Sequence, residues 1–130
     1  MFERITTKEL VAKYRNSYNR IKPVKSPAIK GTVHFNMYGF KHLVFKGKHR
    51  RESKAIFNRL VLVPLIVPVI HNCDEAQEIR IRKEIIRGKK VRVTYHALEA
   101  HVGKDSVRVR VITRKVGKKG RHYFHSVMKY

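Results

Sequence analysis

Residues 107–128, VRVRVITRKVGKKGRHYFHSVM, decide the fold class. Val107, Val109 and Val111 alternate with Arg108, Arg110 and Ile112. Gly117 to Gly120 then marks a turn, and Phe124 and Met128 alternate with Tyr123, His125 and Val127. Successive side chains of a strand point to opposite faces, so period-two patterning on both sides of a glycine turn predicts an antiparallel hairpin. Upstream, Val91, Val93, Tyr95 and Ala97 alternate with Arg92, Thr94 and His96, and Gly103 to Asp105 supplies another turn. The final third thus reads as a meander of antiparallel strands.

Further toward the N-terminus the period changes. Residues 78–87 admit two readings. Ile79, Ile81 and Ile85 between polar residues favour a strand, whereas Asp74, Glu75 and Glu78 would suit the first turns of a helix; the strand is preferred. Before them, Ser53 can cap a helix that turns Ile56, Phe57, Leu60 and Val61 inward. Pro64 and Pro68 break the apolar run 60–70 into a helix ending near Val63 and a short second one begun by Pro64. Arg59 lies near the buried side of the first, either exposed or turned toward Arg51. Thr6 and Glu9 make a capping box for an N-terminal helix with the stripe Leu10, Val11, Tyr14, Tyr18 and Ile21, stopped by Pro23. Pro23, Ser26 and Pro27 read as a linker. The expected class is α+β: N-terminal helices packed on one face of a C-terminal antiparallel sheet of about four strands. Residues 1–130 form a single domain, with a helix and linker over 1–30 and a core over 31–130.

Strand parity puts Arg108, Arg110 and Arg114 on one face. If the last hairpin closes symmetrically about its glycine loop, Arg114 lies opposite Tyr123 and Arg110 opposite Val127, with His125 between. Such a face suits phosphate contact and base stacking. The other face carries Val109, Val111, Phe124 and Met128 as core, together with Thr113, His122 and Ser126, whose polar groups need partners.

Charge then points to a partner. The chain holds 31 Lys and Arg against 9 Asp and Glu, a formal net charge of +22, with a pI near 10.7. That imbalance repels itself, and a polyanion that gives up its counterions on binding explains it best. Nucleic acid is the expected partner. A membrane surface is not, because no segment is apolar on one side and basic on the other over helical length. The N-terminus MFERITTKELVAKY lacks the apolar core of a signal peptide, and the longest apolar run reads as too short and proline-broken to span a bilayer, so a cytoplasmic location is expected. Cys73 is the single cysteine, which leaves no internal disulfide and no cysteine-based zinc site. Histidines never fall in metal-ligand spacing with Asp or Glu, and carboxylates are too few for a two-metal nuclease. No cofactor and no metal are expected.

Chemistry is expected in Gly31 to Arg51, GTVHFNMYGFKHLVFKGKHRR. Thr32 to Phe35 alternates as a strand. Phe40, Leu43 and Val44 then stand at helical spacing on one buried side, with His42 between them and off it. Lys41, Lys46, Lys48, Arg50 and Arg51 follow with no carboxylate before Glu52. An imidazole beside cations is what cutting RNA without a metal requires, although a hydrogen-bonded structural histidine and a solvated basic run would look the same.

The order of elements and the patterns VHFNMYGFKHLVFKGKHRR and VRVITRKVGKKGRHYFHSVM resemble the small nucleases of the barnase, EndoU, tRNA-cutting colicin and RelE group, especially its phage-type and polymorphic-toxin members. The resemblance covers roughly residues 31–130. It implies a metal-independent endoribonuclease, a toxin whose RNA target is tRNA, mRNA or the ribosome. Cleavage would run through 2′-hydroxyl attack to a 2′,3′-cyclic phosphate. On this reading the catalytic set is His42, Lys46, Arg51, His122 and Ser126. His42 serves as base or acid with His122 as its counterpart, Lys46 and Arg51 stabilise the phosphorane, and Ser126 orients a phosphate oxygen. Arg50, Arg108, Arg110, Arg114, Tyr123 and His125 would hold RNA. An acidic antitoxin or immunity protein is the expected second partner. The competing reading is a basic RNA-binding or ribosome-associated protein without catalysis.

Overall fold

A computed structural model describes residues 5–130; the first four, where the N-terminal reading against a signal peptide begins, lie outside the described residues. The architecture is α+β, with helices packed against a mixed six-stranded sheet. Helix α1 (Thr7–Asn19) starts at the expected capping box: the Glu9 amide donates to Thr6 Oγ1 at 3.1 Å, and the Thr6 hydroxyl donates to Glu9 Oε1. Val11 and Tyr18 are its buried residues, while Lys13, Arg15, Arg20 and Lys22 stand in solvent.

The expected linker is instead a strand. β1 (Val24–Ser26) buries Val24 and Ser26 and pairs antiparallel with β2 (Gly31–His34). The prolines that flank it, Pro23 and Pro27, are tolerated because β1 lies at the edge of the sheet. After α2 (Met37–Val44) and a tiny hairpin of β3 (Phe45–Lys46) and β4 (His49–Arg50) comes a broken helical rod. It consists of α3 (Ser53–Leu60), a 3-10 turn (Val63–Leu65) and α4 (Ile66–Asn72). Pro64 and Pro68 fall in the first turns of the last two pieces, where an N–H has no intrahelical acceptor to lose. Glu52 rather than Ser53 occupies the cap of α3. Ile56 and Leu60 point inward, whereas Phe57 is exposed.

The whole rod Ser53–Asn72, 20 residues with mean hydropathy 1.7, is long and apolar enough to cross a membrane by length and composition, but it is broken by the 3-10 turn at Val63–Leu65. Here Ile56, Leu60, Val63, Ile66, Val69 and Ile70 are the core of the domain. They pack with α1 and against Leu98, Val102, Val109, Val111 and Val127 of the sheet. Burying each such side chain contributes on the order of 1.5–3 kcal/mol.

Four long strands complete the chain: β5 (Glu78–Ile86), β6 (Lys89–Val102), β7 (Val107–Val116) and β8 (His122–Lys129). They form the expected antiparallel meander, and the preferred strand reading of 78–87 holds. The sheet is larger than expected because β2 joins it parallel to β8, giving the order β1-β2-β8-β7-β6-β5. Thus β8, last in sequence, is central in space. Arg114 lies opposite Tyr123 as parity requires, but Arg110 lies opposite Met128, not Val127. A β-bulge explains the difference. Thr113 pairs with Phe124 and Ile112 with Ser126, which leaves His125 as an extra residue. Beyond it the alternation is reversed, so Val127 takes the core position expected of Met128, and Ser126 leaves that face.

Candidate catalytic site

Helix α2 is placed by an aromatic knot. Tyr18 is 2% exposed, its ring lies 5.3–5.8 Å from those of Phe35, Phe40 and Phe124, and its hydroxyl donates to the Asn36 carbonyl at 2.7 Å. Asn36 caps α2 by accepting from the Gly39 amide at 3.1 Å. Gly39 then lets the helix touch β8: a Cβ there would stand 2.5 Å from the Phe124 carbonyl oxygen and 2.7 Å from the Tyr18 hydroxyl. Phe40, Leu43 and Val44 face the core as their spacing predicts. Tyr38 and His42, one turn apart, share the remaining side with ring centroids 4.8 Å apart.

His42 meets His125, not His122. The His42 and His125 centroids are 4.3 Å apart, and Tyr95 stands edge-on to His125 at 5.3 Å. His122 lies on the other face of the sheet beside His96, centroids 5.2 Å apart, so the expected His42–His122 pairing is corrected. Parity accounts for this: His122 shares its face with Phe124, Thr113 and His96, while Tyr123, Arg114 and Tyr95 occupy the other.

No carboxylate stands near His42 in the sequence, yet the sheet delivers one close enough to His125 to act on it. Tyr95 donates its hydroxyl hydrogen bond to Glu84 Oε2, and Arg114 Nη2 reaches Glu84 Oε1 at 3.1 Å and Arg114 Nε the Tyr95 oxygen at 3.3 Å. Burial alone would raise the Glu84 carboxyl, but these two donors hold it below the ordinary carboxylate value. Burial and the Glu84 bond push the Tyr95 phenol up, so it stays protonated and donating. Arg114 also lies over the Tyr38 ring, 5.5 Å from its centroid.

Three arginines flank the imidazoles. Arg51 Nε donates to the His42 carbonyl at 3.1 Å. Arg59 Nη1 donates to the Val127 carbonyl at 3.2 Å and to Ser126 Oγ at 3.4 Å, so the residue turns inward. Among the described residues Arg51 and Arg59 make no ion pair, whereas Arg114 pairs with Glu84. Burial, then Arg51, Arg114 and Arg59, hold His42 below the usual imidazole value. Burial, then His42 and Arg114, push His125 down to about 4 against an opposing pull from Glu84. His125 Nδ1 is shut from solvent with no partner. Two such rings do not readily both take a charge at this distance, so the pair carries at most one positive charge near neutrality.

His42 opens on a cavity of about 200 Å³ lined also by Tyr38, Lys41, Phe45 and Gly47. On the sheet side another of about 290 Å³ reaches from His125 past Tyr95 to Arg80, Arg82 and Arg110. Lys46 and Arg50 stand exposed on the small hairpin, and neither lines these cavities. Arg108 and Arg110, expected to hold phosphates, share Glu99: Arg108 Nη2 reaches it at 2.6 Å and Arg110 Nε at 2.6 Å. Tyr130 lies over both guanidinium groups. Tyr123 faces His34 with centroids 5.8 Å apart. Among the described residues no three His, Cys, Asp or Glu side chains are grouped to hold a metal ion. The site thus retains His42, Arg51 and Arg114 of the expected residues, gains His125 as the second imidazole, keeps Ser126 through Arg59, and adds Tyr38, Glu84 and Tyr95. No protein-family model, curated protein or solved structure matches the chain.

Proposed function

We propose that this chain is an endoribonuclease of toxin type that needs no metal for proton transfer and acts in the cytoplasm. One observation carries the reading: two imidazoles in contact, each held below its ordinary pKa by burial and by nearby guanidinium groups, and each lining an open cavity of its own. A structural histidine pair has no need of Arg51 and Arg59 beside it, which pair with no carboxylate among the described residues. An anion meets that need, and a phosphodiester entering among them favours the singly protonated pair.

His125, the more strongly depressed, is the base that takes the ribose 2′-hydroxyl proton as the 2′-oxygen bonds to phosphorus. His42 as imidazolium protonates the 5′-oxygen as its bond to phosphorus breaks. The products are a 2′,3′-cyclic phosphate and a 5′-hydroxyl. Arg51, Arg59 and Arg114 stabilise charge developing on the phosphorane oxygens. Glu84 acts through Tyr95 and Arg114 as a positioning residue. Ser126, as the acceptor from Arg59, orients that guanidinium. An acidic inhibitor protein that covers these cations fits the same charge. The test is incubation of purified protein with RNA in excess EDTA, followed by analysis of the ends. Cyclic phosphate and 5′-hydroxyl ends that vanish in His42→Ala support the reading, and undiminished cutting by that variant rejects it.

A further inference from the structure

A groove of about 750 Å³ lies beyond Arg51 and Arg59, away from the sheet-side cavity. Its volume is within the roughly 300–1,000 Å³ of small-molecule clefts. Leu65, Val107 and Met128 give it an apolar floor, Arg51, Arg59 and Lys129 line it with charge, and no carboxylate is among its lining residues. Such neutralisation is present elsewhere on the sheet, where Glu78, Glu84 and Glu99 pair with Arg80, Arg108, Arg110 and Arg114. Here burial presses down on both guanidinium groups, and Arg51 also repels Arg59. Holding like charges half-buried without a counterion opposes folding, and an anionic occupant relieves it.

Two of the groove's arginines tie it to the imidazole pair. Arg51 is bonded to the backbone of His42, and Arg59 to Ser126, the neighbour of His125. Resting on the endoribonuclease reading, we propose that it is the subsite for the nucleotide next to the scissile phosphate of single-stranded RNA. The base lies on the Met128 floor, and the scissile phosphate that joins this nucleotide to the chain lies between Arg51 and Arg59. An apolar floor beside two guanidinium groups matches a base and a phosphate, whereas a duplex would bury its base faces within its own stack.

The experiment uses the full chain with His42→Ala and His125→Ala, so that RNA survives, and a fluorescent single-stranded octaribonucleotide read by anisotropy. Adding Met128→Glu, or separately Lys129→Glu, is expected to weaken binding at least tenfold. Lys118→Glu, on the β7–β8 turn, should weaken it less than threefold. Equal losses from all three substitutions overturn the subsite and leave only diffuse charge attraction. If the groove variants lose binding while the wild type leaves the octamer uncut, the subsite stands and the nuclease reading falls. If the wild type cuts and the groove variants bind as the control does, the reverse holds. Unchanged thermal melting of Lys129→Glu separates lost contact from lost folding.

Discussion

His42 on α2 and His125 on β8 meet with ring centroids 4.3 Å apart, because Gly39 lets the helix lie against the Phe124 carbonyl. Proton transfer at this pair should be the most fragile part of the molecule. His42→Ala and His125→Ala are each expected to lower RNA cleavage by about 10²–10⁴-fold. The double variant should lose little more, because the two act as a unit. Single-turnover rates at saturating protein check this.

The two depressed imidazoles fix the pH dependence. kcat/KM should peak on the acid side of 6.5. The acid limb falls as His125 protonates near 4, and the alkaline limb as the last proton leaves the pair below the ordinary imidazole value. A rate that climbs steadily from pH 6 to 9 would contradict the assignment.

Stability should follow the same group. Between about pH 4 and roughly 6.5 the unfolded chain binds the His125 proton and the folded chain does not, so stability rises with pH through that window and is lost as pH falls. Glu84, Glu78 and Glu99, all held below the ordinary value, steepen the acid end in the same direction. Urea melts across pH 4–7 should show the slope, and His125→Gln should flatten its upper part.

Glu84→Gln removes a charge that draws a proton toward His125. The acid limb of the pH profile should therefore move to lower pH, an effect that simple loss of folding would not produce. Tyr95→Phe should loosen Arg114 and lower kcat by about tenfold with less change in KM.

Gly39→Ala places a methyl against backbone that cannot withdraw. It is expected to destabilise by about 1–3 kcal/mol and to displace His42, so thermal melting and cleavage should fall together.

Much of this was legible in advance where the physics is local. The Phe40, Leu43 and Val44 stripe, the Thr6–Glu9 cap and the facing of Arg114 and Tyr123 all follow from spacing along a few residues. The bulge at His125 was not, because Val127 and Met128 are both apolar and either could continue the core. Strict alternation without it carries Ser126 to the core face. The resemblance points to His122, although parity alone places His125 among Arg110, Arg114 and Tyr123. Glu84 and Tyr95 meet diagonally across β5 and β6, a contact that only the register reveals. The β2–β8 pairing leaves no local trace either, since its members, Val33 and His122, are far apart along the chain.

The placement of β8 between β2 and β7 has a consequence during synthesis. Strand, helix and bulge cannot close on one another until residues 122–129 have left the ribosome, and that closure joins distant parts of the chain. A nascent copy therefore carries His42 without His125, and on the proposed reading it should cut no RNA until β8 has slotted in.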